Sequence, residues 1–238
     1  MKSYFLSVAL LVFFVGAFAQ KIFVKDANAE VRNLSGSFNT ITISGGIDLY
    51  LSQYDKETVA VSASSDEHIP NIKTIVENNT LRIFFEGGRS WNSGNKKLKV
   101  YVSFKKLDKL VASGACDVQV AGVIQMQSLK LDLNGASSFK GAIKVDDLSL
   151  ELSGASEVEL NGFATSVYIQ SSGASDVKGY DLISDVCTAK ASGASDINIT
   201  VNKELNASAS GASDIYYKGE AVVKKMNSSG ASSIVKKG

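Results

Sequence analysis

Apolar and polar residues alternate with a period of two through the second half of this chain, and glycine interrupts the alternation at regular intervals. The positions six, four and two before Gly135 are Leu129, Leu131 and Leu133. Before Gly154 they are Leu148, Leu150 and Leu152, and before Gly173 they are Val167, Ile169 and Ser171. Cys187, Ala189, Ala191 and then Leu205, Ala207, Ala209 continue the columns. The residues between them, such as Lys130, Asp132, Ser149, Glu151, Lys190 and Ser208, are polar. A period of two predicts a strand with one buried face. Glycine then marks the point where the chain bends tightly.

The bend carries a repeated phrase. Its copies are Ser113–Val118, Asn134–Phe139, Ser153–Val158, Ser172–Val177, Ser192–Ile197, Ser210–Ile215 and Ser229–Ile234. The glycines at 114, 135, 154, 173, 193, 211 and 230 are 18 to 21 residues apart. Such a period means stacked structural units. The order strand, tight corner, strand, loose return predicts an all-β fold, a right-handed parallel β-helix with coils of about 19 residues. A leucine-rich horseshoe needs a Leu-x-x-Leu-x-Leu frame that is absent, and a propeller needs about 40 residues per blade. Six steps at about 4.8 Å give a repeat body roughly 29 Å long. An apolar residue returns four places after each glycine, as in Val118, Phe139 and Ile197. The alanine directly after each glycine, Ala115 through Ala231, reads as an inward position with room for one methyl. Leucine gives way to alanine toward the C-terminus, so the body tapers and its last coils are expected to be the least stable. Lys224, Lys225, Lys236 and Lys237 would blunt the final edge.

Residues 20–106 are strand-rich but irregular, and read as wider opening coils and a cap on the regular repeats of residues 107–238, all one domain. Ser44–Leu49 is a degenerate copy of the phrase. Strands are expected at Val59–Ala63, Leu81–Glu86 and Leu98–Phe104, a short helix or turn around Pro70, and a loop over Gly87–Asn95.

Composition sets the compartment. Lys2, the apolar run Tyr4–Phe18 and the small residues Ala17 and Ala19 make residues 1–19 a secretory signal. The run is short for a membrane span, and nothing later in the chain is long and apolar enough to be one. Of 25 basic side chains Lys2 leaves with the signal, so 24 face 24 acids, a balance that argues against nucleic acid as partner. Export to the periplasm, the outer surface or the medium permits a disulfide between the two cysteines. The register opposes one: Cys116 stands in the serine column two after glycine, Cys187 stands in an apolar column, and four coils separate them.

Chemistry-bearing residues are few. His68 is the only histidine, and it reads as a solvated loop residue with no dyad partner. Arginine occurs only at 32, 82 and 89, outside the repeats. Seven stacked serines cannot all be nucleophiles, and turn hydrogen bonding to local backbone accounts for them. No catalytic, cofactor or metal residue emerges. Three after each glycine runs an acidic column in which Asp176, Asp196 and Asp214 would stack about 4.8 Å apart. Like charges so placed repel. Backbone amides at the corner, solvent, or a bound cation such as calcium would offset this; serine at 138 and 233 in the same column favours the amides.

The Ser-Gly-Ala-Ser-Asp ladder, the Ile43–Leu51 phrase and the export signal together resemble the bacterial autotransporter-adhesin head domain, the GIN domain family, from about Ser37 to the end of the chain. The resemblance implies a pectin-lyase-like β-helix without lyase catalytic residues, and an adhesive role. Taken with the residues, the expectation is an exported, non-enzymatic protein with a binding or adhesion surface at the cell envelope, its partner a glycan, an envelope polymer or another protein. The alternatives are a carbohydrate-active β-helix lyase or hydrolase, and a purely structural envelope protein.

Overall fold

The computed structural model describes residue 26 and residues 28–87 and 97–238. The expected signal segment, and most of the expected loop at 87–95, lie outside the described residues. Among the described residues, sixteen strands form one continuous sheet wound into a β-solenoid. The N-terminal half supplies β1 (Glu30–Arg32), β2 (Thr40–Ser44), β3 (Asp48–Gln53), β4 (Thr58–Ser62), a 3-10 helix (Asp66–Asn71), β5 (Ile72–Glu77), β6 (Thr80–Phe85) and β7 (Lys99–Phe104). The repeats supply β8 (Lys109–Ser113) and five long bent strands: β9 (Asp117–Leu133), β10 (Ser138–Leu152), β11 (Glu157–Ser171), β12 (Asp176–Ala191) and β13 (Asp196–Gly211). They end with β14 (Asp214–Lys218), β15 (Val222–Gly230) and β16 (Ser233–Lys236).

Each long strand pairs in parallel with the next, and like positions stack: Leu131 on Leu150, Leu150 on Ile169, Ile169 on Ala189, Ala189 on Ala207. These side chains, with Val118, Phe139, Val158, Val177, Ile197 and Ile215, fill a core that runs the length of the solenoid. Alanine replaces leucine in the last columns, and the penultimate strand, β15, is exposed along most of its length.

The glycine corners line up as expected. A methyl placed on Gly154 would sit 2.5 Å from the carbonyl oxygen of Gly135, and Gly154 itself has φ +79°. The Gly135 carbonyl accepts the Ala155 amide at 2.7 Å, and the same bond recurs at each later corner, so the ladder passes through the bend unbroken. Here the inward assignment of the alanines is overturned. Ala115, Ala136, Ala155, Ala174, Ala194, Ala212 and Ala231 are exposed, and the residue after each is the inward one. Alternation keeps its parity across the left-handed glycine: the positions two before, two after and four after all face the core. The buried hydroxyl then needs a partner. Ser137, Ser156, Ser175, Ser195 and Ser213 each donate to the carbonyl three residues back, at 2.8–3.0 Å.

Differences in coil length are absorbed elsewhere. The register slips between Lys140 and Ala142, between Glu159 and Asn161, between Gly179 and Ile183, between Ser184 and Val186, and between Leu205 and Asn206, all outside the Gly-Ala corner. The corner is therefore kept constant while the rest of the coil bulges.

The N-terminal coils are not stacked in chain order. β2 lies between β6 and β8, and β3 lies between β7 and β9, all in parallel. The first coil of the chain is thus enclosed by its second and third. The degenerate phrase sits where a repeat would: a methyl on Gly114 would lie 3.7 Å from the Gly45 nitrogen. The three expected strands are present as β4, β6 and β7. The segment after Ser65 is helical only to Asn71 and then forms β5, antiparallel to β6. β4 runs antiparallel to β7, and β1 antiparallel to β4. Asp26 fastens this end by accepting from Ser62 at 2.6 Å, Tyr101 at 2.9 Å and Lys99 at 3.0 Å.

Candidate binding flank and acidic ladder

Two outward faces of the solenoid carry ordered polar columns. The first follows the glycine corner and holds the acidic ladder. Asp176 and Asp196 are direct register partners, as are Asp196 and Asp214, so the three stack as expected. Neighbouring donors offset much of their repulsion. Asp214 accepts the Ser233 amide at 2.9 Å, the Ser233 hydroxyl at 2.6 Å and the Tyr216 hydroxyl at 2.9 Å, which hold its carboxyl below the usual range. At Asp196 partial burial, followed by the charges of Asp176 and Asp214, pushes the pKa up. Farther along, Glu157 meets Lys178 at 2.8 Å and Glu159 meets Lys140 at 2.7 Å. Among the described residues, no group of three or more His, Cys, Asp or Glu is placed to hold a metal ion.

The second polar face lies on the strand before each corner. Its first column runs from Thr40 through Lys109, Lys130, Ser149 and Tyr168 to Thr188 and Asn206. Beside it run Arg82, Thr42, Val111, Asp132, Glu151, Gln170, Lys190 and Ser208. Lys130 meets Glu151 at 2.7 Å. The Tyr168 hydroxyl donates to Gln170 at 2.9 Å, and the Lys190 ammonium lies 5.3 Å from the Tyr168 ring centre. Cation–π contact and the hydrogen bond hold this ring in place. Shallow depressions mark both ends of the face. One, of about 360 Å³, is lined by Thr42, Ser44, Arg82, Phe84 and Ser113 among others. The other, of about 260 Å³, is lined by Thr188, Lys190, Asn206, Ser208, Lys225 and Asn227 among others.

The sequence singled out the acidic ladder and missed this second face. Its signal was present as the polar residues between the inward leucines, but these differ from coil to coil and form no motif. His68 is not a solvated loop residue. It sits on the 3-10 helix with its side chain 17% exposed, edge-on to Phe85 and 3.6 Å from Glu67. Both thiols are free and buried, and burial pushes the Cys187 pKa to about 12.

The family model for "Putative auto-transporter adhesin, head GIN domain" matches residues 37–221. The chain belongs to the GIN-domain family. That span takes in the enclosed first coil and every regular corner except the last, so the family pattern is the stack itself. Among solved structures, a putative adhesin from Bacteroides fragilis NCTC 9343 is 21% identical, with a TM-score of 0.77 over 89% of this chain and 98% of that one. A putative adhesin from Parabacteroides merdae ATCC 43184 is 18% identical, with a TM-score of 0.67 over 90% and 98%. A putative lipid binding protein from Parabacteroides distasonis ATCC 8503 is 22% identical, with a TM-score of 0.66 over the same shares. At these identities the likeness is one of fold. No curated protein matches the chain. Among the described residues, no helix is long and apolar enough to cross a membrane.

Proposed function

We propose that this GIN-domain protein is exported and works without catalysis, as a binding surface at the bacterial cell envelope, and that the polar face bearing Tyr168 is the surface. The observation that carries this reading is the continuity of that face. Side chains able to donate or accept, with one braced aromatic ring and a shallow depression at each end, extend over many coils. An extended polymer with repeated hydroxyls, such as an envelope glycan, matches such a surface: many weak contacts add through effective concentration, and none is indispensable. The acidic ladder has a different role in this reading. Asp214 accepts from Ser233 of the next coil, and in this reading the ladder serves the corner, not a cation.

A binding screen of the protein against envelope and extracellular polysaccharides, with product analysis, tests the proposal. Tyr168→Ala and Lys190→Ala should each weaken binding severalfold, while Asp196→Ala on the other face should leave it within about twofold. Turnover of a polysaccharide abolished by a single substitution would establish an enzyme instead. Binding to anionic vesicles but to no glycan would move the function to a lipid surface.

A further inference from the structure

The two ends of the solenoid differ from its flanks. On one flank the sheet terminates in β1 at the N-terminal end and β16 at the C-terminal end; on the other it terminates in β5 and β15. Among the described residues, each of these edge strands is paired on one side only, with β1 on β4, β5 on β6, β15 on β13 and β16 on β14. Of the nine large apolar side chains exposed among the described residues, five lie on these four strands: Val31, Ile75, Val222, Met226 and Val235. Met226 is the telling one. It continues the inward column of Ala189 and Ala207, yet it is 46% exposed. Among the described residues, nothing covers the core at this last coil.

Charge separates the same ends. Residues 218–238 hold five lysines against Glu220, a formal +4. The elements at the other end, residues 26–37 and 54–79, hold seven carboxylates against Arg32, Lys56 and Lys73, a formal −4 with His68 neutral. A chain of nearly zero net charge thus carries a dipole along its axis.

We infer that the basic C-terminal coil of one copy docks on the acidic N-terminal end of another, so that the protein assembles head to tail. Two C-terminal ends repel each other, as do two N-terminal ends, and only the unlike ends attract. Strand directions agree. β4 is antiparallel to both β1 and β7, so β1 runs in the direction of β16 and extends the flank in parallel. On the other flank β5 opposes β6 and meets β15 as an antiparallel neighbour. Both junctions form together, because β1 and β16 share one flank and β5 and β15 share the other. Such a contact uses different surfaces on the two copies, does not close on itself, and extends the stack. The lysines then select the partner end as well as blunt the edge.

Sedimentation velocity of the purified protein over a range of concentrations tests this. At low ionic strength a series of species beyond the dimer is expected, and raising the salt to about 0.5 M should move the onset to at least tenfold higher concentration. Two charge-reversed proteins sharpen the test: K224E/K225E/K236E at one end, and E30K/D66K/E67K at the other. Each alone should remain monomeric, and an equimolar mixture should assemble again, with circular dichroism of each variant verifying its β structure. A protein monomeric at every salt and concentration would overturn the inference. So would a series that stops at the dimer and ignores the N-terminal substitutions, or a mixture that stays monomeric. If a charge-reversed variant fails to fold, the salt series on the unmodified protein still decides the matter.

Discussion

Replacing Gly154 by alanine, and comparing it with Gly122→Ala, separates two costs that coincide at every regular corner. Both glycines have positive φ, +79° and +85°. At Gly122 an added methyl meets nothing within 4 Å. The substitution there bears only the left-handed strain of an L-residue, about 1–2 kcal/mol, offset by about 0.4–1 kcal/mol from a stiffer unfolded chain. A net loss of about 1 kcal/mol follows. At Gly154 the methyl also lies 2.5 Å from the Gly135 oxygen and 3.0 Å from its nitrogen. That oxygen is backbone and already holds the Ala155 amide at 2.7 Å. Relief requires the two coils to part, with loss of at least that bond, about 0.5–1.5 kcal/mol, and some packing beneath it. Gly154→Ala should therefore cost about 2–4 kcal/mol. Urea denaturation of both variants under one set of conditions reads the difference. Equal midpoints would mean that the corners are not in contact between coils, and the stacking argument would fail.

Three further outcomes are expected. Leu150→Ala empties a fully buried site and should cost about 2–5 kcal/mol, whereas Ala155→Leu adds to an exposed position and should stay within about 0.5 kcal/mol; a large loss at 155 in denaturant titration would restore the inward reading. Asp196 binds its proton more tightly folded than unfolded, so its ionisation withdraws stability as pH rises from 3.8 through the raised folded value. Asp196→Asn should then melt higher than the parent at pH 7 and lose that advantage at acid pH; a lower melting temperature at pH 7 would show that the carboxylate is needed charged. Thiol titration should find two reactive groups in unreduced, denatured protein and almost none in the native state, given burial of both and a Cys187 pKa of about 12; an absence of thiols after denaturation would mean a disulfide.

The regular half was readable because each coil sees the same neighbours. Once Leu131, Leu150 and Ile169 were aligned on their glycines, strand, face and partner followed. The alanine error came from treating polarity as a guide to direction. A serine looks like a surface residue, but Ser156 satisfies its hydroxyl within its own corner at 2.8 Å, so parity decides and the smaller apolar residue is left outside. The order of the first coils was not readable for a different reason. Ser44–Leu49 was recognisable as a copy of the phrase, but nothing local says that its neighbours are Ser113–Val118 on one side and the chain around β6 and β7 on the other. The second polar face was hidden because its columns repeat in spacing and not in residue type.

The enclosed first coil divides the molecule by how freely its length can change. Excising one unit, from Ser153 to Ser171, would bring Asn134–Phe139 next to Ser172–Val177, which offer nearly the same contacts as the neighbours they replace. The body can thus gain or lose units by duplication and deletion, as a string of beads does. Residues 40–53 allow no such editing. They touch coils that arise about 40 and 70 residues later, so their removal would detach the N-terminal end from the rest. Descendants of one ancestral gene would be expected to vary in the number of regular units while sharing this opening arrangement, with the reach of the proposed binding face set by copy number.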